Sequence, residues 1–258
     1  MIFDEKTLSV IFNELKKAGE IAMKLREKGL IVEKKEDGSY VTNADKELDI
    51  LLTKMIKNKL KNNDMIISEE DVALGNHYDG VNKSFWSIDP IDSTSSFINN
   101  VNDYWSINIA YIKNNQPIFG LIYAPQQDKY WYGDTTKMEA FKIDKGVKSR
   151  IFVREISSTG ATLISPEEQT SDKDIIDKLN IREEIKIPSA IKFCYIAEGF
   201  ADYYYRKRNK ACDWDISCGH SLIVAAGGSV NFLIPDEDFK YGQYPYKAPN
   251  LLATGKVN

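Results

Sequence analysis

Leu8, Ile11, Phe12, Leu15, Ala18, Ala22 and Leu25 recur at three- and four-residue spacing, which predicts one amphipathic helix with a single buried face ending near Gly29. A second apolar stripe, Leu48, Leu51, Met55, Ile56 and Leu60, follows a cap signal at Thr42-Asn43. Asp45 falls in the first turn of that helix, where the dipole favours an acid. The period then changes. Residues 85–88, 104–112, 117–123, 129–132 and 139–143 are short runs rich in aromatic and β-branched side chains, separated by turn residues. They predict a largely antiparallel sheet.

Beyond about residue 160 the pattern alternates: a strand at 161–165, a helix near 171–179, a helix at 189–200, a strand at 202–205 and a helix over 214–226 that stops at Gly227-Gly228. Strands near 230–234 and 251–254 close the chain. The order is α, then β, then α/β, with no internal repeat, low-complexity tract or Pro/Gly-rich linker. The expectation is one unit over 1–258, built from an α+β half (1–150) and an α/β half (151–258) meeting at a packed seam.

Composition narrows the class without naming it. The 258 residues carry 34 Lys plus Arg against 38 Asp plus Glu, a net charge of −4, with 43% hydrophobic residues. Disorder, collagen-like repeats and coiled coil are excluded, and no broad basic surface exists for nucleic acid or an anionic membrane. The longest apolar runs, such as Leu222 to Ala226, are core-sized, and the start of the chain lacks a secretory pattern. The expected compartment is the cytoplasm. Cys194, Cys212 and Cys218 show no paired spacing and read as reduced interior thiols.

The candidate chemistry lies in acids at the ends of apolar elements. In Ile88-Asp89-Pro90-Ile91-Asp92-Ser93-Thr94, Pro90 fixes its own φ and biases Asp89 toward extended backbone. If a helix starts next, Asp89, Asp92 and the Ile91 carbonyl converge on one cavity, with the amides of Ser93 and Thr94 turned to an anion. The other reading is that Asp89 ends a strand and Asp92 caps a helix. Ser68-Glu69-Glu70-Asp71 follows an apolar strand, as a solvated charge run also would, and Asp215 in Asp213-Trp214-Asp215 also suits a helix cap.

Together, Ser68-Glu69-Glu70, Asp89-Pro90-Ile91-Asp92-Ser93-Thr94, Trp214-Asp215 with Gly219-His220, and Ala225-Ala226-Gly227-Gly228 resemble the inositol monophosphatase superfamily of metal-dependent, lithium-sensitive phosphatases. Residues 191–194 and 197–199 are most similar to its bacterial 3'(2'),5'-bisphosphate nucleotidases. The resemblance implies a layered αβαβα sandwich of the inositol monophosphatase/fructose-1,6-bisphosphatase type. It also implies two or three Mg²⁺ ions held by Glu69, Asp89, the Ile91 carbonyl, Asp92 and Asp215. Asp45 and Thr94 match the pair that polarises the attacking water, with Glu69 also catalytic. The implied reaction is removal of the 3'-phosphate of 3'-phosphoadenosine 5'-phosphate. The alternatives are an inositol or broad sugar phosphatase, and a non-catalytic metal or nucleotide sensor. Glu69, Ile91, Asp92, Ser93, Thr94 and Asp215, with Lys192 and Arg206, are the expected substrate contacts, in a monomer or homodimer.

Four places depart from the family pattern. Ser93 replaces a Gly, which would strain the backbone if φ is positive there and would crowd the phosphate. Tyr40 replaces an acid, and Ser95-Ser96 and Pro188 differ from the bacterial nucleotidase pattern. His220 reads as a packed residue more than a ligand, because magnesium favours oxygen. Arg206-Lys207-Arg208 with Lys210 is either a solvated turn or a basic loop for a second phosphate.

Overall fold

The structure, a computed structural model, describes residues 3–35, 38–100, 103–166, 173–207, 211–233 and 239–256. Helix α1 (Glu5–Lys28) begins where Asp4 accepts the Thr7 amide at 2.8 Å and ends at Gly29, whose φ of 100° favours glycine. A short hairpin, β1 (Val32–Lys34) and β2 (Tyr40–Thr42), leads into α2 (Asn43–Lys54), which continues as one π-helical turn over Met55–Lys59. Next come β3 (Met65–Ser68), the single-turn α3 (Glu69–Ala73), β4 (Ser84–Asp92) and α4 (Thr94–Asn99). Strands β5 (Ser106–Lys113), β6 (Gln116–Ala124), β7 (Lys129–Asp134), β8 (Glu139–Asp144) and β9 (Val147–Arg150) complete the first sheet. The remainder is β10 (Ala161–Ser165), α5 (Lys173–Lys178), β11 (Ile181–Lys186), α6 (Ile191–Ala197), β12 (Tyr203–Arg206), α7 (Asp213–Ala225), β13 (Ser229–Phe232) and β14 (Leu251–Thr254).

The first sheet has seven strands in chain order, β3 to β9, antiparallel except for the parallel pair β3/β4. The second runs β11-β10-β12-β14-β13 and is mixed. Strand alternation sorts the core: Trp86, Ile88, Ile107 and Ile109 face α1 and α2, while Phe85, Ala110 and Ile122 face α7. Helices α6 and α7 fill the space between the sheets, which is why α7 is apolar on nearly every side. Gly120 permits this closeness, since a Cβ there would lie 2.4 Å from the Cys218 carbonyl. Ile175 and Leu179 cover the outer face of the second sheet at Leu163, Tyr203 and Tyr205. The layers are therefore α, β, α, β, α, as the resemblance implies. No described helix is long and apolar enough to cross a membrane.

Several boundaries differ from expectation. Strand β4 continues through Asp92, so both aspartates lie in the strand and Ser93, not Asp92, is the N-cap of α4. The helix expected over 189–200 is shorter, because Ser189 adopts φ 56° before it and Gly199 φ 74° after it. Trp105 precedes β5 and is buried by packing, with its ring 4.8 Å from Phe97. The predicted helix start at 171–172, the strand end at Ile234, and Arg208 and Lys210 of the basic loop lie outside the described residues.

Candidate metal and phosphate site

Two helix caps bring acids to one place. Thr42 caps α2, and Asp45, at the third helical position, returns the bond: its Oδ2 accepts from the Thr42 amide at 2.8 Å and hydroxyl at 2.6 Å. Asp215 occupies the same position in α7, its Oδ2 accepting the Cys212 amide at 2.6 Å. Asp89 and Asp92 come from the C-terminal end of β4, with Asp92 Oδ2 accepting from Asn108 Nδ2 at 3.1 Å and from the Ala190 amide. Glu69 opens α3 directly after β3, the parallel neighbour of β4.

Carboxylate oxygens of Asp89, Asp92 and Asp215 all lie within 4.8 Å of one another. Asp89 is 1% exposed, and among the described residues neither of its oxygens has a hydrogen-bond partner. Burial holds its carboxyl well above the usual range, and Glu69, Asp92, Asp215 and Asp45 all add to the rise. Burial likewise pushes Glu69 up to about 8, against the pull of Lys35 and with help from Asp215 and Glu70. Asp45 and Asp215 are raised too, chiefly by burial. A buried acid with no donor, ringed by other acids, is satisfied by a cation, and an all-oxygen donor set suits a hard one.

Lys35 supplies part of that charge. Its Nζ bonds Glu69 at 2.7 Å and Glu70 at 2.9 Å, so Glu69 is turned toward the ammonium and lies outside the three-aspartate group. The sequence held no signal for this contact, because Lys35 is one of two adjacent lysines 34 positions from Glu69. Thr94 Oγ1 lies 3.1 Å from the Ile91 carbonyl and 3.5 Å from Asp45 Oδ1, which joins the two elements expected to act together. Ser93 sits at φ 70°, ψ 53°, in the left-handed region expected to strain a non-glycine residue. Its hydroxyl donates to Ser96 Oγ at 2.9 Å.

With this geometry in view, comparison with known proteins places the chain. Residues 4–254 match the inositol monophosphatase family. The protein belongs to that family. The family match extends over nearly the whole phosphatase fold described above. A 3'(2'),5'-bisphosphate nucleotidase CysQ of Buchnera aphidicola is 31% identical over 230 residues, covering 87% of this chain and 84% of its own. The CysQ of Salmonella typhimurium is 30% identical over 203 residues, covering 77% and 78%. Among solved structures, CysQ from Bacteroides thetaiotaomicron superposes with a TM-score of 0.75 at 24% identity, over 99% of each chain.

In this inositol monophosphatase-family phosphatase two basic residues lie within electrostatic reach of the acids. Burial opposes the Arg206 charge, but Tyr204, Asp215 and Asp92 hold the guanidinium above its ordinary value. Lys192 is buried at 5% exposure, with its Nζ 2.5 Å from the Ser189 carbonyl and its charge drawing Asp215 down. His220 is a packed residue: Nδ1 pairs with the Tyr241 hydroxyl at 2.9 Å, and burial lowers its pKa to about 4. Cys194 and Cys218 are buried free thiols held well above their ordinary value by desolvation. Tyr40 is 43% exposed on the hairpin.

Proposed function

We propose that the protein is a Mg²⁺-dependent phosphomonoesterase that removes the 3'-phosphate of 3'-phosphoadenosine 5'-phosphate, releasing AMP and phosphate. The observation that carries the metal requirement is Asp89, buried and without a hydrogen-bond donor among Glu69, Asp92, Asp215 and Asp45. Roughly 30% identity to two CysQ nucleotidases over most of the chain supports the substrate.

Asp89, Asp92 and Asp215, with Glu69 and the Ile91 carbonyl, would hold two or three Mg²⁺ ions. When bound, such ions make a water more acidic and offset the charge that gathers on the phosphoryl oxygens. The protein's own part is positioning. Asp45 accepts from Thr94, so a proton leaving a water at the Thr94 hydroxyl has an acceptor one hydrogen bond away. Asp45, raised by burial, gains affinity for that proton. Asn108 and the Ala190 amide fix Asp92 in orientation. Arg206, facing Asp215 and Asp92, supplies positive charge suited to the second phosphate of a bisphosphorylated nucleotide.

Phosphate release with Mg²⁺ on 3'-phosphoadenosine 5'-phosphate, inositol 1-phosphate and fructose 1,6-bisphosphate tests the reading. The expected result is a kcat/KM at least tenfold higher for the nucleotide, about 1.4 kcal/mol of selective transition-state binding. Preference for inositol phosphate would replace the substrate while keeping the reaction. Silence on all three would overturn both.

A further inference from the structure

Glu69 stands on weak foundations. Its helix, α3, is a single turn, and the strand before it, β3, is the edge of the seven-stranded sheet with β4 as its one neighbour. A turn this short has little stability of its own, so its carboxylate needs a tertiary tie to keep its distance from Asp215, which lies on α7 in the other half of the chain. A continuous set of hydrogen bonds supplies that tie.

At the α3 end, Asp71 takes the N3 position, its amide donating to Ser68 Oγ at 3.2 Å. Its carboxylate accepts from Asn76 Nδ2 at 2.7 Å and from the Tyr78 hydroxyl. The Tyr78 backbone then meets Tyr246: the Tyr78 amide donates to Tyr246 Oη at 2.6 Å, and Oη donates to the Tyr78 carbonyl at 2.9 Å. The Tyr246 carbonyl accepts the amide of Asp213, the first residue of α7, at 2.9 Å. Two residues later is Asp215. A parallel tie runs from Asp213 Oδ2 to the Gly242 amide at 2.5 Å and from the Gly242 carbonyl to the Gly80 amide at 3.0 Å.

Tyr246 is fully buried and holds φ 61°, a left-handed backbone that a bulky side chain adopts only when its surroundings over-determine it. Its ring lies 5.9 Å from Trp214, which separates Asp213 from Asp215. All of these contacts converge on the start of α7 from one side and on α3 from the other.

We propose that Asp71, Tyr78 and Tyr246 are positioning residues for the metal centre, forming a brace that sets Glu69 on α3 against Asp215 on α7. The inference rests on the reading that Glu69 and the three aspartates hold a divalent cation. None of the three residues touches substrate in this scheme. Their effect is on the separation of the carboxylates, and therefore on cation affinity.

The test is Mg²⁺ binding by calorimetry on the metal-free full chain, with the Mg²⁺ dependence of phosphate release measured alongside. Tyr78→Phe removes only the bond to Asp71 and keeps the ring and both backbone bonds to Tyr246. Tyr246→Phe removes both of those bonds. Each is expected to raise the Mg²⁺ Kd three- to tenfold, while kcat at saturating Mg²⁺ stays within twofold of wild type. Asp71→Asn, which can still accept from Tyr78, should retain most of the affinity. An unchanged Kd in both tyrosine variants overturns the brace, as does a lower melting temperature with Kd unmoved. Asp89→Asn runs in parallel. If it binds Mg²⁺ as wild type does, the cation site itself is wrong; if it loses binding while the tyrosine variants do not change, only the brace fails.

Discussion

Replacing Asp89 by Asn removes a buried negative charge and leaves the side chain's shape almost unchanged. Without metal the wild-type carboxylate has no donor on either oxygen and is pushed up by burial and by four neighbouring acids. An acid whose folded pKa exceeds its unfolded one costs stability as pH rises from the unfolded value toward the folded one, and the loss persists above. Glu69 behaves the same way: a rise from 4.5 to about 8, at 1.36 kcal/mol per pH unit, corresponds to an upper bound of roughly 5 kcal/mol shared across a strongly coupled cluster. Leaving one charged group buried without hydrogen bonds costs roughly 1–3 kcal/mol or more. Asp89→Asn is therefore expected to be the more stable protein in EDTA at pH 8, by about 2 kcal/mol. That is roughly 4–8 °C in melting temperature for a chain of this size. At pH 5 the difference should shrink, because the penalty of a carboxyl whose folded pKa is raised, as those of Asp89 and Glu69 are, is lost as pH falls toward its unfolded value. With Mg²⁺ at about a hundred times its Kd the wild type gains roughly 2.7 kcal/mol and the order reverses. Phosphate release by the variant should fall at least about a hundredfold if Asp89 holds the cation as proposed. Scanning calorimetry at both pH values, with and without Mg²⁺, reads all of this. A variant less stable than wild type in EDTA at pH 8 that gains as much from Mg²⁺ would refute the reasoning.

Lys35→Ala strips the ammonium from Glu69 and Glu70 and should lower the stability of the metal-free protein by about 3 kcal/mol, as breaking a largely buried ion pair does, with Mg²⁺ restoring part of the loss in a thermal melt. Ser93→Gly relieves a left-handed backbone but loosens the unfolded chain, so its melting temperature should move by less than about 1 kcal/mol in equivalent stability. Its turnover should equal or exceed wild type, and a tenfold loss would show that the Ser93 hydroxyl is needed. His220, with a folded pKa near 4 against 6.5 unfolded, contributes stability that is complete above 6.5 and lost as pH falls toward 4. Its imidazole resonances should stay those of the neutral ring at pH 5.5.

Patterns carried by one element at a time were legible in the sequence. The stripe from Leu8 to Leu25 became the buried face of α1, and strands 161–165 and 251–254 fall where their apolar runs do. Ile181–Lys186 carries no strand signature in its sequence: four of its six residues are charged, and it lies at the edge of its sheet and is mostly exposed. The short β1/β2 hairpin and β9 are likewise mostly exposed, and their polar sequences carry no period. At the site, acids at the ends of apolar elements were visible, because caps and strand ends are local features. Lys35 on Glu69, Asn108 on Asp92 and Tyr246 on Tyr78 were not, since each joins segments whose nearness the fold alone decides.

The way the acids are held explains how a chain can fold around so much unfavourable charge. Asp45 and Asp215 each commit one oxygen to a helix cap, and Asp92 commits one to Asn108 and the Ala190 amide. Those bonds join each acid to a cap or a strand-end neighbour, so three of the carboxylates are anchored by local structure. Asp92 and Asp215 still offer an oxygen to the cluster. Asp89 differs in that neither of its oxygens has a partner among the described residues, which would leave both available to a cation. The anchored acids thus fix the geometry in advance, and the electrostatic cost of the site falls mainly on the residue with the most to gain from metal. This is why Asp89→Asn should separate stability from cation affinity more cleanly than a change at Asp45, Asp92 or Asp215, whose removal would also undo a cap or a strand-end contact.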